Sequence, residues 1–395
     1  MHVCFVGQEI HPPWIRGDPQ LFKGIINALK REERVEISLV TNFSRRKDYS
    51  NNEKEFEKFT EGLENVILVK SLGDHNYNPV LFHPNTLLLE MASKKLAKDE
   101  DIDIFHLGSV NASIFAPLFK LDISRSHKPK LIRHIFMFLQ TRPGRFSTSL
   151  LRNTYSNFID GFAVTTNTIR EEVSNLAIRK NKIFVIPPII NTNFFRPLDL
   201  PTNISGDPVI LYMGSISPER FPISILKMLK NLKDNGLNPM LLAIGRYEFE
   251  REWINEITKK ASKVNLDKNI SMYIKALDEI EKVNLYNSAD IVIFPFTGFV
   301  GATQPPLSLL EAMSCGKIVV ATKTQDTQQV VKHGYNGLFI NDLNPLQLAE
   351  IILVLTSQKA KFIGYNARKT ILDKFSEDRV TGKILKMYNR VLNEH

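Results

Sequence analysis

Twice along this chain, short apolar runs of strand length alternate with longer stretches of helical period, and this constrains the fold more than any single residue does. In the first half the runs are HVCFVG (His2–Gly7), VEISLVT (Val35–Thr41), NVILV, DIFHLG, KLIRHI, GFAVTT and KIFVIP. A helical face of Leu21, Ile25, Ala28 and Leu29 lies between the first two. Such alternation predicts right-handed crossover units and a parallel sheet covered on both faces. From Pro187 to Asp207 the periodicity lapses into a stretch holding Pro187, Pro188, Pro197, Pro201 and Gly206, which reads as an interdomain linker. Alternation then resumes from PVILYMG (Pro208–Gly214) to KIVVAT, and helical segments close the chain at Pro345–Ser357, Lys359–Phe375 and Asp378–Leu392. The expectation is an α/β chain of two doubly wound domains, 1–200 and 201–375, facing each other across a cleft. A C-terminal helix, 376–395, is expected to cross back onto the first domain.

A length of 395 residues suits two or three domains. With 43% hydrophobic and 24% charged residues the composition is that of a globular protein, which argues against disorder. Cys4 and Cys315 are far apart in apolar surroundings and read as buried thiols of a reducing compartment. Neither a signal-peptide pattern nor an apolar stretch near the ~20 residues of a membrane span stands out, so a cytosolic location is expected. The formal net charge of +9 is shared by both halves, but Lys120–Arg152 holds eight basic residues and one acid, interleaved with Ile135, Phe136, Met137, Phe138 and Leu139. Such a strip suits an anionic membrane surface, phosphates or nucleic acid; the plain alternative is a solvated loop beside a core strand.

Chemistry concentrates between Asp290 and Val320. The buried strand ADIVIFPF ends at the carboxyl edge of its sheet, a loop with Gly298 and Gly301 follows, and Pro305 and Pro306 open a helix. The N-terminus of that helix, at Pro306 and Leu307, offers amides and a positive dipole end to an anion such as a diphosphate. Glu311, five residues in, is placed to accept hydrogen bonds from a ribose diol; the bland reading is a surface glutamate, against which its apolar flanks argue. Doubly wound sheets bind ligands at their strands' carboxyl ends.

These segments resemble the retaining glycosyltransferases of family four, the glycosyl transferases group 1, which have the GT-B fold of two Rossmann-like domains. The likeness is carried by PPLSLLEAMSCGKIVVAT and HGYNGLF (His333–Phe339), with KIFVIPPIINTNFFRP, VILYMGSISPERF, LLAIGRYEFERE, DIDIFHLG and FSEDRVTGKILKMY in family order. It implies metal-independent transfer, without a cofactor, of a sugar from a nucleoside-diphosphate sugar to a glycan or lipid-linked acceptor. It places Glu311 on the ribose and Arg220 on the departing diphosphate. It draws Gly214, Ser215, Gly245, Arg246, Thr303, Gln304, Pro306 and Leu307 into the donor site. Three positions depart from the family pattern: Ser215 stands where a second cation is usual, Thr303 where a carboxylate is usual, and Gly245-Arg246-Tyr247-Glu248 where Gly-Asp-Gly-Pro is usual. Arg246 is a candidate to restore the cation missing at Ser215.

In the first half, His106 and His134 end their apolar runs and are read as donor-sugar or acceptor contacts. The loop Gln8–Asp18 offers Arg16 to a phosphate, Gly17 as a close-approach residue, Asp18 as a helix cap and Trp14 as a lid or acceptor contact. Asp101-Ile102-Asp103 sits at the wrong strand edge for a metal site, and no spacing suits zinc. Competing readings are an inactive relative, a nucleotide-sugar epimerase or hydrolase, and a basic protein of membrane surfaces or nucleic acid; no nucleic-acid motif is present.

Overall fold

The structure is a computed structural model of the chain. It describes all residues except 13, 15–16, 44–51, 72–83, 109–127, 137–157, 177, 201–203, 298–303, 326, 341–350, 352–353, 355–357 and 395. The chain divides into two units, Met1–Ile189 with Glu377–His395, and Ile190–Ser376.

Seven parallel strands form the first unit's sheet in the order β3-β2-β1-β4-β5-β6-β7. They are β1 (His2–Gln8), β2 (Glu36–Phe43), β3 (Asn65–Lys70), β4 (Ile104–Gly108), β5 (Lys130–Ile135), β6 (Gly161–Val164) and β7 (Ile183–Val185). Every residue of the central strand β1 is buried, whereas the edge strand β3 alternates half-buried and exposed positions. Continuous apolar character therefore marks a strand covered on both faces, and alternation marks a strand covered on one. Helix α1 (Gly17–Leu29) starts four residues before the apolar period does, because Gly17, Asp18 and Pro19 make its first turn, where a missing N–H costs nothing. Asp18 thus lies inside the helix and is not its cap. Helices α2 (Glu53–Thr60), α3 (Pro84–Asp99) and α4 (Asn167–Asn175) complete the described cover.

The C-terminal helix Glu377–Asn393 belongs to this unit. Val380, Ile384, Met387, Tyr388 and Val391 form its apolar face and join one core with Leu21, Phe22 and Ile25 of α1. Arg31 pairs with Glu377 at 2.7 Å, and Lys130 Nζ donates to the Glu394 carbonyl at 2.8 Å.

The second unit holds six parallel strands in the order β10-β9-β8-β11-β12-β13. These are β8 (Val209–Met213), β9 (Met240–Gly245), β10 (Ile270–Ile274), β11 (Ile291–Phe294), β12 (Ile318–Thr322) and β13 (Leu338–Ile340). The helices that matter below are α5 (Ile225–Asp234), α6 (Arg251–Lys263), α7 (Glu279–Ser288), α8 (Leu307–Ser314) and α9 (Lys359–Lys374). The helix expected at Pro345–Ser357 lies mostly outside the described residues.

The Pro-rich stretch read as a linker is largely part of this unit, which begins at Ile190. Phe195 is buried in its core, and the Phe195 carbonyl accepts from Ser314 Oγ at 2.6 Å and from Arg368 Nη1 at 3.2 Å. Leu198 N–H donates to Asn287 Oδ1 at 2.9 Å. Prolines limit regular structure there, but side chains and main-chain groups fix the stretch to the wall of the unit.

Candidate active site

Parallel strands put their carboxyl ends on one edge, and in the second unit that edge collects most of the candidate residues. β8 and β9 pair up to Met213 opposite Ile244, and Gly214 N–H extends the ladder to the Ile244 carbonyl at 3.1 Å. The chain then turns through Ser215, whose carbonyl accepts the Tyr212 hydroxyl at 2.6 Å. Gly245 ends β9 with the Glu250 carboxylate packed against it: a Cβ there would lie 2.2 Å from Glu250 Oε2, so no larger residue fits without moving that side chain. The same oxygen accepts the Arg246 N–H at 2.9 Å. Glu250 is buried, and its other oxygen, Oε1, has no hydrogen-bond partner.

Arg220 and Arg246 are both half-buried, and both act electrostatically on the buried Tyr212 phenol. Burial raises the pKa of that phenol most; Arg220 lowers it, Glu250 raises it and Arg246 lowers it. Arg220, in the turn that follows β8, and Arg246, directly after β9, therefore share one locality with a buried carboxylate. The loop after β11 joins them, since Thr297 N–H donates to the Glu219 carbonyl at 2.8 Å, beside Arg220.

Helix α8 begins after Pro306, its N-cap residue, whose carbonyl accepts from Leu309 and Leu310. No side chain caps this end, and the N–H groups of Leu307 and Ser308 open its first turn. Glu311 is 7% exposed, and the Tyr286 hydroxyl of α7 donates to its Oε2 at 2.8 Å. Burial first, and then the carboxylate it faces, hold the Tyr286 hydroxyl well above its ordinary pKa, so it remains a donor. The Cys315 thiol is pushed up to about 12, by burial and then by Glu311. Gln304 is fully buried, and neither of its amide atoms has a hydrogen-bond partner. Thr303 lies outside the described residues.

The histidines belong to the first unit. His106 is not at a strand end: it is the middle residue of β4, paired with Phe5 of β1, and fully buried. Its Nδ1 bonds the Tyr388 hydroxyl at 2.6 Å and its Nε2 bonds His134 Nδ1 at 3.1 Å. With both nitrogens engaged and the ring stacked between Phe5 and His134, it is a structural link to the C-terminal helix and not a substrate contact. His134, one residue before the end of β5, keeps an unpartnered Nε2. Burial pushes the His134 pKa down to about 3; burial and then His134 hold that of His106 well below its usual range.

Gly17 opens α1 and is half-buried, while Arg16 lies outside the described residues. Trp14, expected as a lid or acceptor contact, is tied to α2: its Nε1 donates to Glu55 at 2.8 Å and its ring meets Phe59 edge-on at 4.8 Å. Of the basic strip Lys120–Arg152, only 128–136 is described. Within it Arg133 is 4% exposed, inside β5 and near Glu90, whose carboxyl burial pushes up to about 8. Arg133 therefore faces no surface. Asp103 accepts the His2 N–H at 2.8 Å, which ties the starts of β1 and β4 together. Among the described residues no three His, Cys, Asp or Glu side chains gather as a metal site.

Residues 200–370 match the family model of the glycosyl transferases group 1, and this segment belongs to that family. The fold of the whole chain is the GT-B fold of solved glycosyltransferases. Over 99% of this chain it superposes on 100% of Anabaena HepE, solved in complex with UDP, with a TM-score of 0.75 at 17% identity. It covers 99% of a glycosyltransferase from Rickettsia africae at a TM-score of 0.73 and 18% identity. In sequence it is 25% identical, over 63% of its length, to the Campylobacter jejuni N,N'-diacetylbacillosaminyl-diphospho-undecaprenol alpha-1,3-N-acetylgalactosaminyltransferase. It spans 65% of that relative and 50% of Bacillus subtilis spore coat protein SA, to which it is 24% identical. No helix among the described residues is long and apolar enough to cross a membrane.

Proposed function

We propose that the chain is a glycosyltransferase that moves a sugar, with retention, from a nucleoside-diphosphate sugar to a lipid-linked or glycan acceptor. The observation that carries this reading is the junction at α8: a helix N-terminus with no side-chain cap, followed one turn later by a buried, oriented carboxylate. The helix end takes the diphosphate and Glu311 takes the ribose hydroxyls. Arg220 and Arg246 face the negative charge that grows on the diphosphate as the glycosidic bond breaks, and fixed cations stabilise such charge most where water is scarce. Their placement around one phenol supports Arg246 as the cation that Ser215 cannot supply. Charge is then met by protein groups alone, and transfer is expected to persist in chelator.

His134, with one free ring nitrogen and a neutral ring at physiological pH, is assigned to the acceptor side as a hydrogen-bonding contact. The Campylobacter relative is named for a diphospho-undecaprenol acceptor, which supports a lipid-linked acceptor. Thermal-shift and calorimetric titration with UDP, GDP and ADP and their sugar conjugates tests the reading. A tightly bound member that raises the melting temperature is expected; binding by none of them overturns it.

A further inference from the structure

Helix α9 carries apolar residues on both of its faces. Ile363, Gly364, Ala367 and Ile371 lie buried against the second unit, and an added Cβ at Gly364 would stand 2.4 Å from the Gly316 carbonyl oxygen. A helix seated this way normally turns a polar face to water. Here the outer face holds Phe362, Tyr365 and Leu372 at 53%, 69% and 40% exposure. Lys361 and Lys369, also exposed, sit among them. Their spacing puts Lys361, Phe362, Tyr365, Lys369 and Leu372 on one face, over a rise of about 16 Å.

A second segment widens this face. Asn336 fixes the turn before β13 to the helix: its Nδ2 donates to Thr370 Oγ1 at 3.0 Å, and its Oδ1 accepts the Lys332 N–H at 2.6 Å. The turn brings Tyr335 edge-on to Phe362, with ring centroids 6.1 Å apart, and leaves Tyr335 and Lys332 exposed. Across 332–340 and 358–374 the one acidic residue is Asp373.

We propose that this face of the second unit is a docking surface for an anionic lipid bilayer; the choice of a bilayer rests on the lipid-linked reading of the acceptor. Three observations select it. Tyrosines, with apolar bodies and polar tips, and lysines, with long apolar stems, settle at the depth of lipid headgroups. Asp373 apart, the charge here is positive and complementary to acidic headgroups, which attract each nearby lysine. The exposed apolar side chains also adjoin one another, whereas those of an ordinary surface are scattered singly. The face is separate from the basic strip Lys120–Arg152, which belongs to the first unit.

The test is co-sedimentation of the full chain with vesicles of phosphatidylcholine, with and without phosphatidylglycerol, free of nucleotide and acceptor. Wild type is expected to bind the anionic vesicles and to leave them at high salt. Two double variants, Phe362→Ser with Tyr365→Ser and Lys361→Gln with Lys369→Gln, are each expected to lower this binding at least tenfold. Their melting temperatures and UDP affinities are expected to stay at the wild-type values. In Tyr365→Trp, brominated lipid is expected to quench emission beyond what it quenches in wild type. Wild type that does not bind, binding that survives both double variants, or added emission that brominated lipid leaves unquenched would each overturn the proposal. A wild-type dimer that the serine variant dissolves, with no vesicle binding, would give the face to a second copy and overturn it too. Vesicle binding by a protein that transfers only to soluble glycans would uphold the surface and count against the lipid-linked reading instead.

Discussion

Tyr286 and Glu311, 25 residues apart and on different helices, meet through one buried hydrogen bond of 2.8 Å that holds Oε2 of the glutamate carboxylate. A carboxylate held by one oxygen offers a ligand the other in a defined direction. Tyr286→Phe is therefore expected to weaken UDP binding about five- to tenfold, since a lost hydrogen bond to a buried charge is worth about 1–3 kcal/mol. With 2′,3′-dideoxy-UDP the variant and wild type are expected to bind alike. Calorimetry on both nucleotides reads this directly; equal losses on both would place the effect elsewhere than on the ribose.

Arg220 and Arg246 are expected to act on the leaving group. Arg246→Ala and Arg220→Ala should each lower kcat about a hundredfold, with a smaller change in donor KM, because the charge they meet is largest in the transition state. Lysine at either position is expected to restore part of the loss. Steady-state transfer kinetics check this, and an unchanged kcat in Arg246→Ala would remove that residue from the account.

At Gly108, the last residue of β4, an added Cβ would lie 1.9 Å from Phe22 Cε2, inside the core that joins α1 to the C-terminal helix. Phe22 has no free direction, since it packs edge-on against Phe5, His106 and His134. Overpacking of this kind costs about 1–3 kcal/mol, so Gly108→Ala is expected to lower the denaturant midpoint visibly. Urea unfolding followed by circular dichroism measures it.

The buried histidines predict acid lability of the first unit. A histidine whose folded pKa is depressed binds fewer protons folded than unfolded, so stability falls as pH drops below the unfolded value of about 6.5. For His134 the loss continues down to its folded value of about 3. Each such group contributes about 1.4 kcal/mol per pH unit within its window. Unfolding free energies at pH 7 and pH 5 should differ more in wild type than in His134→Gln.

Much of this was legible in the chain. The strand runs anticipate the parallel sheets because strands buried on both faces are apolar along most of their length, as β8 and the middle of β1 are. Glu311 stood out as a charge inside an apolar helix. His106 was misplaced because an apolar run does not say where pairing stops; β4 continues to Gly108 opposite Gly7, which puts the histidine in mid-strand. The stretch after Pro187 read as a linker because prolines hide whether an extended segment is free or packed. Its anchors, Arg368 and Asn287, are far away in sequence. Tyr286 and Glu250 are silent in the sequence for a related reason. A tyrosine within a helix and a glutamate before one carry no local signal, and their meaning comes from partners that only the fold supplies.

Calorimetric titration of UDP into wild type and Glu311→Ala tests the central claim most directly. The account predicts saturable one-to-one binding to wild type and at least a tenfold loss in the variant, as expected when a group bonded by a buried charge loses its partner. Equal affinity in the two proteins, or no binding to wild type by UDP or any other nucleoside diphosphate, would contradict it.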